Sequence, residues 1–299
     1  MPSKKTPRAA QPPPDAAPIR HDVNGVLLEL APRTLALCRL ACGSRTWLDN
    51  GPAGESLWQL HVADAWGQRV DLEGRAAAAV TAAMDGATLR LEWRGVKDRD
   101  SGAGPFDVRV AIAPSPAGPG LLTWRLSVKS RTKRWTLWHV LFPRLCGLTP
   151  GADPAADRVF WPDFWGRQAV GWDQFVEASG PCGGYGKHAM QFLGVTRGTH
   201  TLYLGAHDPG QWPKQMVFAP GKAGAQPRRA QCHFLAHPAG MTVGGNSYTQ
   251  PYDIVAGELA GDWYDAARLY AGWARPQSWV SEPPRRADHG PREAREVLV

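Results

Sequence analysis

Trp161, Phe164, Trp165 and Trp172 fall within one stretch of twelve residues, WPDFWGRQAVGW, among Asp163, Arg167, Gln168 and Asp173. Flat aromatic faces stack on the apolar faces of sugar rings, while carboxylates, amides and guanidinium groups beside them select hydroxyls. The same rings would serve equally well as core filling or as anchors for a long loop. A second group lies in LGAHDPGQWPK, where His207 and Asp208 precede Pro209 and Gly210, with Trp212 close behind. Asp before Pro-Gly bonds the amides of its own turn, so Asp208 has a structural use as well as a ligand-binding one. No phosphate-binding loop, HExxH pair or GxSxG elbow is present. The glycine-rich GPCGGYG at 180–186 neither follows a clear strand nor opens a helix, and reads as a loop. These patterns call for no cofactor and no metal ion.

The chain has 299 residues, a formal charge of +7, 33 Gly and 27 Pro, which suits a large β-domain with many turns. Of that charge, +3 falls in the first 20 residues, where Lys4, Lys5, Arg8 and Arg20 are set against Asp15. That stretch lacks an apolar h-region, so it reads as a disordered basic arm and not as a secretory signal. Elsewhere the cations are scattered, without the basic run that marks a nucleic-acid partner. No stretch approaches the ~20 apolar residues of a membrane-spanning helix. Five cysteines, odd in number and dispersed, support neither a disulfide framework nor a zinc site. Reduced thiols and a cytoplasmic location are the expectation.

Strands must position the candidate residues. Residues 26–30 and 35–40 flank a turn at 31–34 and predict an opening hairpin. Leu89, Leu91 and Trp93 alternate with polar neighbours, as do Val108, Val110 and Ile112, and then Leu122, Trp124, Leu126 and Val128. Further runs at 56–62, 137–141, 190–195, 202–206, 232–235 and 252–255 bring the series to about a dozen strands with almost no helix between them. The prediction is an all-β fold of two packed antiparallel sheets. The alanine-rich AAAAVTAA at 76–83 has helix propensity but is read as a strand or short turn. Near the C-terminus the pattern changes. In GELAGDWYDAARLYAGWARPQSW (257–279), Asp262 and Asp265 have capping-box spacing. Trp263, Ala266, Ala267, Tyr270, Trp273 and Ala274 then recur on one helical face, and Pro276 stops the helix. Residues 281–299 show no apolar periodicity and read as a disordered tail.

Three ordered stretches resemble a bacterial family of glycoside-hydrolase-like proteins of unknown function. FPRLCGLTPGADPAADRVFWPDFWG (142–166) is similar to the family's FPR and DPADDR region. MQFLGV (190–195), followed by LYLGAHDPGQWPK (202–214), is similar to its paired strands ending in an HDP turn, and 252–279 to its GDWYDAA-type helix. In that family a galactose-mutarotase-like β-super-sandwich precedes a (β/α)8 barrel, and the helix leads into the barrel. The resemblance therefore implies an antiparallel super-sandwich at 21–257 and a linker helix at 258–280. A barrel needs about 250 residues, and 20 follow Trp279, so the likeness covers the N-terminal part alone. Truncation, a shifted frame and a sandwich that works alone are all open.

The resemblance implies a carbohydrate-associated domain that is not hydrolytic alone, because the paired carboxylates of glycoside hydrolysis belong to the barrel. The alternative is an autonomous sugar-binding or mutarotase-like domain. Its acid and base would come from His188, His207, His233, His237 and Glu258, although His233 alternates with Cys232 and Phe234 as a structural histidine would. Trp161, Asp163, Trp165, Arg167, His207, Asp208 and Trp212 are the implied contacts with carbohydrate or barrel. Trp263, Tyr270 and Trp273 are the implied interdomain face, toward a barrel in the same chain in relatives or a separate one here. Asp262 and Asp265 are caps.

Overall fold

The computed structural model describes residues 16–163, 166–182, 188–221 and 228–281. The expected arm up to residue 15, the tail from 282 and Trp165 lie outside them. The described residues form two antiparallel sheets of eleven and ten strands packed on a shared core, the super-sandwich that was expected. The eleven-stranded sheet runs Ile19–Val23, Val26–Leu30, Leu37–Cys42, Arg45–Asp49, Leu145–Leu148, Ala230–Ala236, Thr136–Leu141, Gln59–Ala63 and Arg69–Glu73. Lys214–Pro220 and Ala178–Cys182 extend it beside Ala230–Ala236. The ten-stranded sheet runs Arg167–Val170, Arg158–Trp161, Phe192–Arg197, His200–His207, Asp253–Ala260, Leu121–Ser130, Phe106–Pro114, Thr88–Val96 and Ala79–Asp85. Tyr248–Thr249 adds to Leu121–Ser130.

The opening hairpin forms between Val26–Leu30 and Leu37–Cys42, but one more strand precedes it. Ile19–Val23 pairs with Val26–Leu30 through Asn24-Gly25, both at positive φ (56° and 79°), so the last two residues read as arm belong to the sheet. Asn-Gly favours that turn because Asn tolerates the left-handed region and Gly adopts it freely. The alanine-rich stretch becomes the strand Ala79–Asp85 after a single 3-10 turn.

Alternation fixes the core. Leu89, Leu91, Trp93, Val108, Val110, Ile112, Trp124 and Leu126 all point between the sheets. The high tryptophan content is mostly core: Trp47, Trp58, Trp93, Trp124 and Trp135 are fully buried, with Trp58 and Trp93 edge to face at 5.4 Å. Truncating such a ring to alanine costs ~3–5 kcal/mol.

The strands under the helix break the alternation. Phe192–Arg197, His200–His207 and Asp253–Ala260 are buried on both faces because the helix Trp263–Ala274 covers the outer one. Asp262 accepts from the Tyr264 amide at 2.8 Å, and Asp265 accepts from the Asp262 amide at 3.2 Å, completing the expected box. Ala266, Tyr270 and Ala274 then press on Phe192, Tyr203 and Val255 in a second, smaller core. Gly205 makes room for this layer, since a Cβ there would lie 2.2 Å from the Tyr203 hydroxyl.

Candidate functional site

The aromatic segment is structural wherever it is described. Trp161 ends the strand Arg158–Trp161 and is buried in the inter-sheet core, as is Trp172. Asp163 is buried and pairs with the exposed Arg167 at 2.7 Å across the turn. The DPAAD stretch also has a structural use. Buried Asp157 accepts from the Gly151 amide at 2.7 Å, and with Glu258 it supplies negative charge to Arg197. The Arg197 guanidinium lies 4.4 Å over the Trp47 ring and donates to the Thr46 carbonyl, while burial lowers its pKa to about 10.

The HDP turn separates two neighbours. Asp208 and Lys214 form an ion pair at 2.5 Å with both side chains at 0% exposure, and the same carboxylate accepts from the Gly210 and Trp212 amides. Trp212 is exposed beside it. His207 points to the other side, under the helix. Its Nε2 is 3.1 Å from the Tyr203 hydroxyl, its ring stacks on Trp273 at 4.8 Å, and burial pushes its pKa down to about 4. His207 and Trp273 wall a cleft of about 490 Å³ between helix and sheet, completed by Thr123, Asp253 and Arg268.

The expected interdomain face divides as well. Tyr270 is buried against Phe192 in the helix–sheet contact. Trp273 is half-buried, and Trp263 stays partly exposed while stacking on Phe160 at 5.3 Å.

A histidine row on the eleven-stranded sheet went unread in the sequence. His61 and His139 are register partners, their Nδ1 atoms 3.4 Å apart, and the ring of His237 lies 5.0 Å from that of His139. Asp71 is 3.7 Å from His61 Nε2, and Arg69 sits 5.2 Å over Trp138 alongside. His233 shares the outward parity of His237, opposite to the core residues Cys232 and Phe234. Its Nδ1 and the Arg144 Nε are buried without a hydrogen-bond partner among the described residues. Burial lowers the pKa of His139 and His237, and that of His233 to about 4, so these three imidazoles are neutral at pH 7. Neutral imidazoles accept and donate hydrogen bonds and can take a proton from a hydroxyl. Among the described residues no three His, Cys, Asp or Glu side chains are placed to hold a metal ion. The polar positions in QLHVA and TLWHVL were the available signal, but the register that joins them spans 78 positions and is not local.

The five groups named for acid–base chemistry are therefore divided. His233 and His237 lie on the eleven-stranded sheet, His207 and Glu258 on the ten-stranded one. Glu258 is held by Arg45 and by the Trp47 indole N–H at 2.6 Å. His188 is buried beside the strand Ala178–Cys182. No described helix is long and apolar enough to cross a membrane, which says nothing of a β-barrel.

No family model matches the sequence, and no curated protein matches it. Solved structures share its fold, two of them as follows. An α-N-acetylgalactosaminidase, NagBb from Bifidobacterium bifidum in complex with GalNAc, superimposes at a TM-score of 0.58 and 14% identity, covering 85% of this chain. The chain spans 38% of that protein's length. A putative aldose 1-epimerase from Escherichia coli K12 superimposes at 0.50 and 11% identity, over 81% of this chain and 98% of its own. The sandwich is of the galactose-mutarotase-like fold.

Proposed function

We propose that this chain is a carbohydrate-associated sandwich that works beside a glycoside-hydrolase catalytic domain and does not itself hydrolyse glycosides. The exposed rings along the helix carry this reading: Trp263 and Tyr264, in contact at its start, are 37% and 58% exposed, and Trp279, against Trp273 past its end, is 39% exposed. Exposed clusters of large rings are where proteins meet partners, and a (β/α)8 barrel, in cis or as a separate chain, is the partner we assign. The fold shared with part of a glycosidase supports this. So does the commitment of the carboxylates: Asp208 to Lys214, Glu258 to Arg45, Asp262 and Asp265 to the helix cap. The five thiols are buried and free, which suits a reducing compartment, and we take the cytoplasm as its place. The purified chain should leave aryl glycosides intact. Tyr264→Ala should weaken association with a (β/α)8 domain supplied by a relative, at a stability cost within ~0.5 kcal/mol. Robust glycoside turnover would refute the first half, and undiminished association the second.

A second reading, an autonomous sugar-binding or mutarotase-like domain, is favoured by the histidine row. Anomer exchange removes the proton of the C1 hydroxyl and protonates the ring oxygen, opening the ring; the reverse transfers close it on the other face. Neutral His139 is the natural proton acceptor, and His61, with Asp71 beside it, the natural counterpart. Exchange of galactose anomers followed by NMR should then run faster with the chain than in buffer, and His139→Ala should abolish the gain. A rate equal to that of buffer sinks this reading.

A further inference from the structure

Two cross-strand rows face outward from the ten-stranded sheet. One starts on the uncovered half with Ala83, Arg90, Ala111 and Arg125 and ends under the helix with Asp253 and His207; the other, Thr81, Glu92, Arg109, Ser127 and Thr249, stays on the uncovered half. Small side chains at Ala83, Ala111, Ser127 and Thr249 form a floor, and the exposed Arg90, Arg109 and Arg125 stand around it. The depression holds about 570 Å³. The cleft of about 490 Å³ below the helix lies on the other side of the Arg125–Asp253 ion pair, with Trp273 in its wall, so the two line up as successive parts of one trough across the strands. Six strands at a spacing of ~4.8 Å give it a length of ~24 Å.

Its charge leans positive: Arg90, Arg109, Arg125 and Arg268 stand in and around it against Glu92, Asp253 and the Asp85 that pairs with Arg90 at 2.7 Å. Arg268 has no acidic partner among the described residues, and buried His207 adds no charge at neutral pH. Guanidinium groups bind carboxylates bidentately, and long polar troughs closed by a ring suit sugar chains.

We propose that this trough binds an anionic glycan, a uronate-containing oligosaccharide lying across the strands, with its carboxylates on the arginines and its terminal ring against Trp273. This rests on the carbohydrate-associated reading and places the ligand on the sheet opposite the histidine row. Calorimetric titration of the full chain with hexagalacturonate and with neutral galactohexaose tests it. The acidic hexamer should bind at least ~10-fold more tightly, a difference of ~1.4 kcal/mol, and should weaken as salt rises. Ala111→Trp, which fills the floor, and Arg109→Gln should each reduce that binding ~10-fold or more with melting temperature unchanged, while His139→Ala leaves it intact. Equal binding of the two hexamers overturns the anionic assignment. Binding lost in His139→Ala but kept in Ala111→Trp overturns the trough and leaves the carbohydrate reading standing. Failure of both sugars to bind anywhere removes trough and carbohydrate reading together.

Discussion

The two halves of the ten-stranded sheet have the same inward face and opposite outward ones. Under the helix, outward positions are Phe192, Tyr203 and Val255; away from it they are Thr81, Arg90, Glu92 and Arg109. Inward, both halves offer Leu, Val, Ile and Trp to one core. The inward pattern therefore specifies the sandwich, whereas the outward pattern records what covers each strand. Protein covers one half. The other is open to solvent and, on the inference above, to a ligand.

The comparison can be broken by substitution. The largest effect should come from Phe192→Ala beneath the helix, where the ring touches Phe160, Tyr203 and Tyr270; urea denaturation should show a loss of ~3–5 kcal/mol. A loss below ~1 kcal/mol would mean that the helix is loosely seated. Acid should come next. His207 under the helix and His233 on the other sheet both titrate at about 4, below the ~6.5 of an unfolded chain. Above that value neither is charged in either state and their full contribution to stability is present. As pH falls from ~6.5 toward 5, the unfolded chain takes up protons that the folded chain refuses, so stability declines. The melting temperature should drop through this window, and His233→Leu should flatten the drop; an unchanged slope would contradict the burial of a neutral ring.

Smaller effects sharpen the contrast. Asp262→Ala removes the helix cap and should cost ~1 kcal/mol, because the packed face still holds the helix down. On the uncovered half, Arg94→Ala breaks a solvent-exposed pair with Glu92 and should lower stability too little to shift the urea midpoint measurably. A larger loss there would show that the open face is structural.

Period-2 alternation made Thr88–Val96, Phe106–Pro114 and Leu121–Ser130 legible, and capping chemistry made the helix legible to within a residue. The Asn24-Gly25 turn also has a local signature, since Asn-Gly favours positive φ at both positions. The sites were harder. Asp208 carries the features of a ligand contact in sequence and is buried against Lys214 in space, because a local motif does not show what lies six residues on across the turn. Tyr270 and Trp273 are three residues apart on one helical face, yet the helix's seating buries one fully and the other partly. The histidine and arginine faces depend on registers between distant strands, so neither has a local signature.

One feature of the strand order bears on how the molecule is made. Asp253–Ala260 lies between His200–His207 and Leu121–Ser130, in the middle of its sheet, although it is the last strand of the described chain. During synthesis the two flanking blocks emerge long before the strand that joins them, each offering an unpaired edge to neighbours. Such distant pairing makes for slow folding and a long interval of vulnerability to aggregation. Once Asp253–Ala260 is inserted, the helix follows after two residues, Gly261 and Asp262, and seals the outer face. Nascent chains stalled before residue 253 should therefore depend on chaperones, while those released after residue 275 should not.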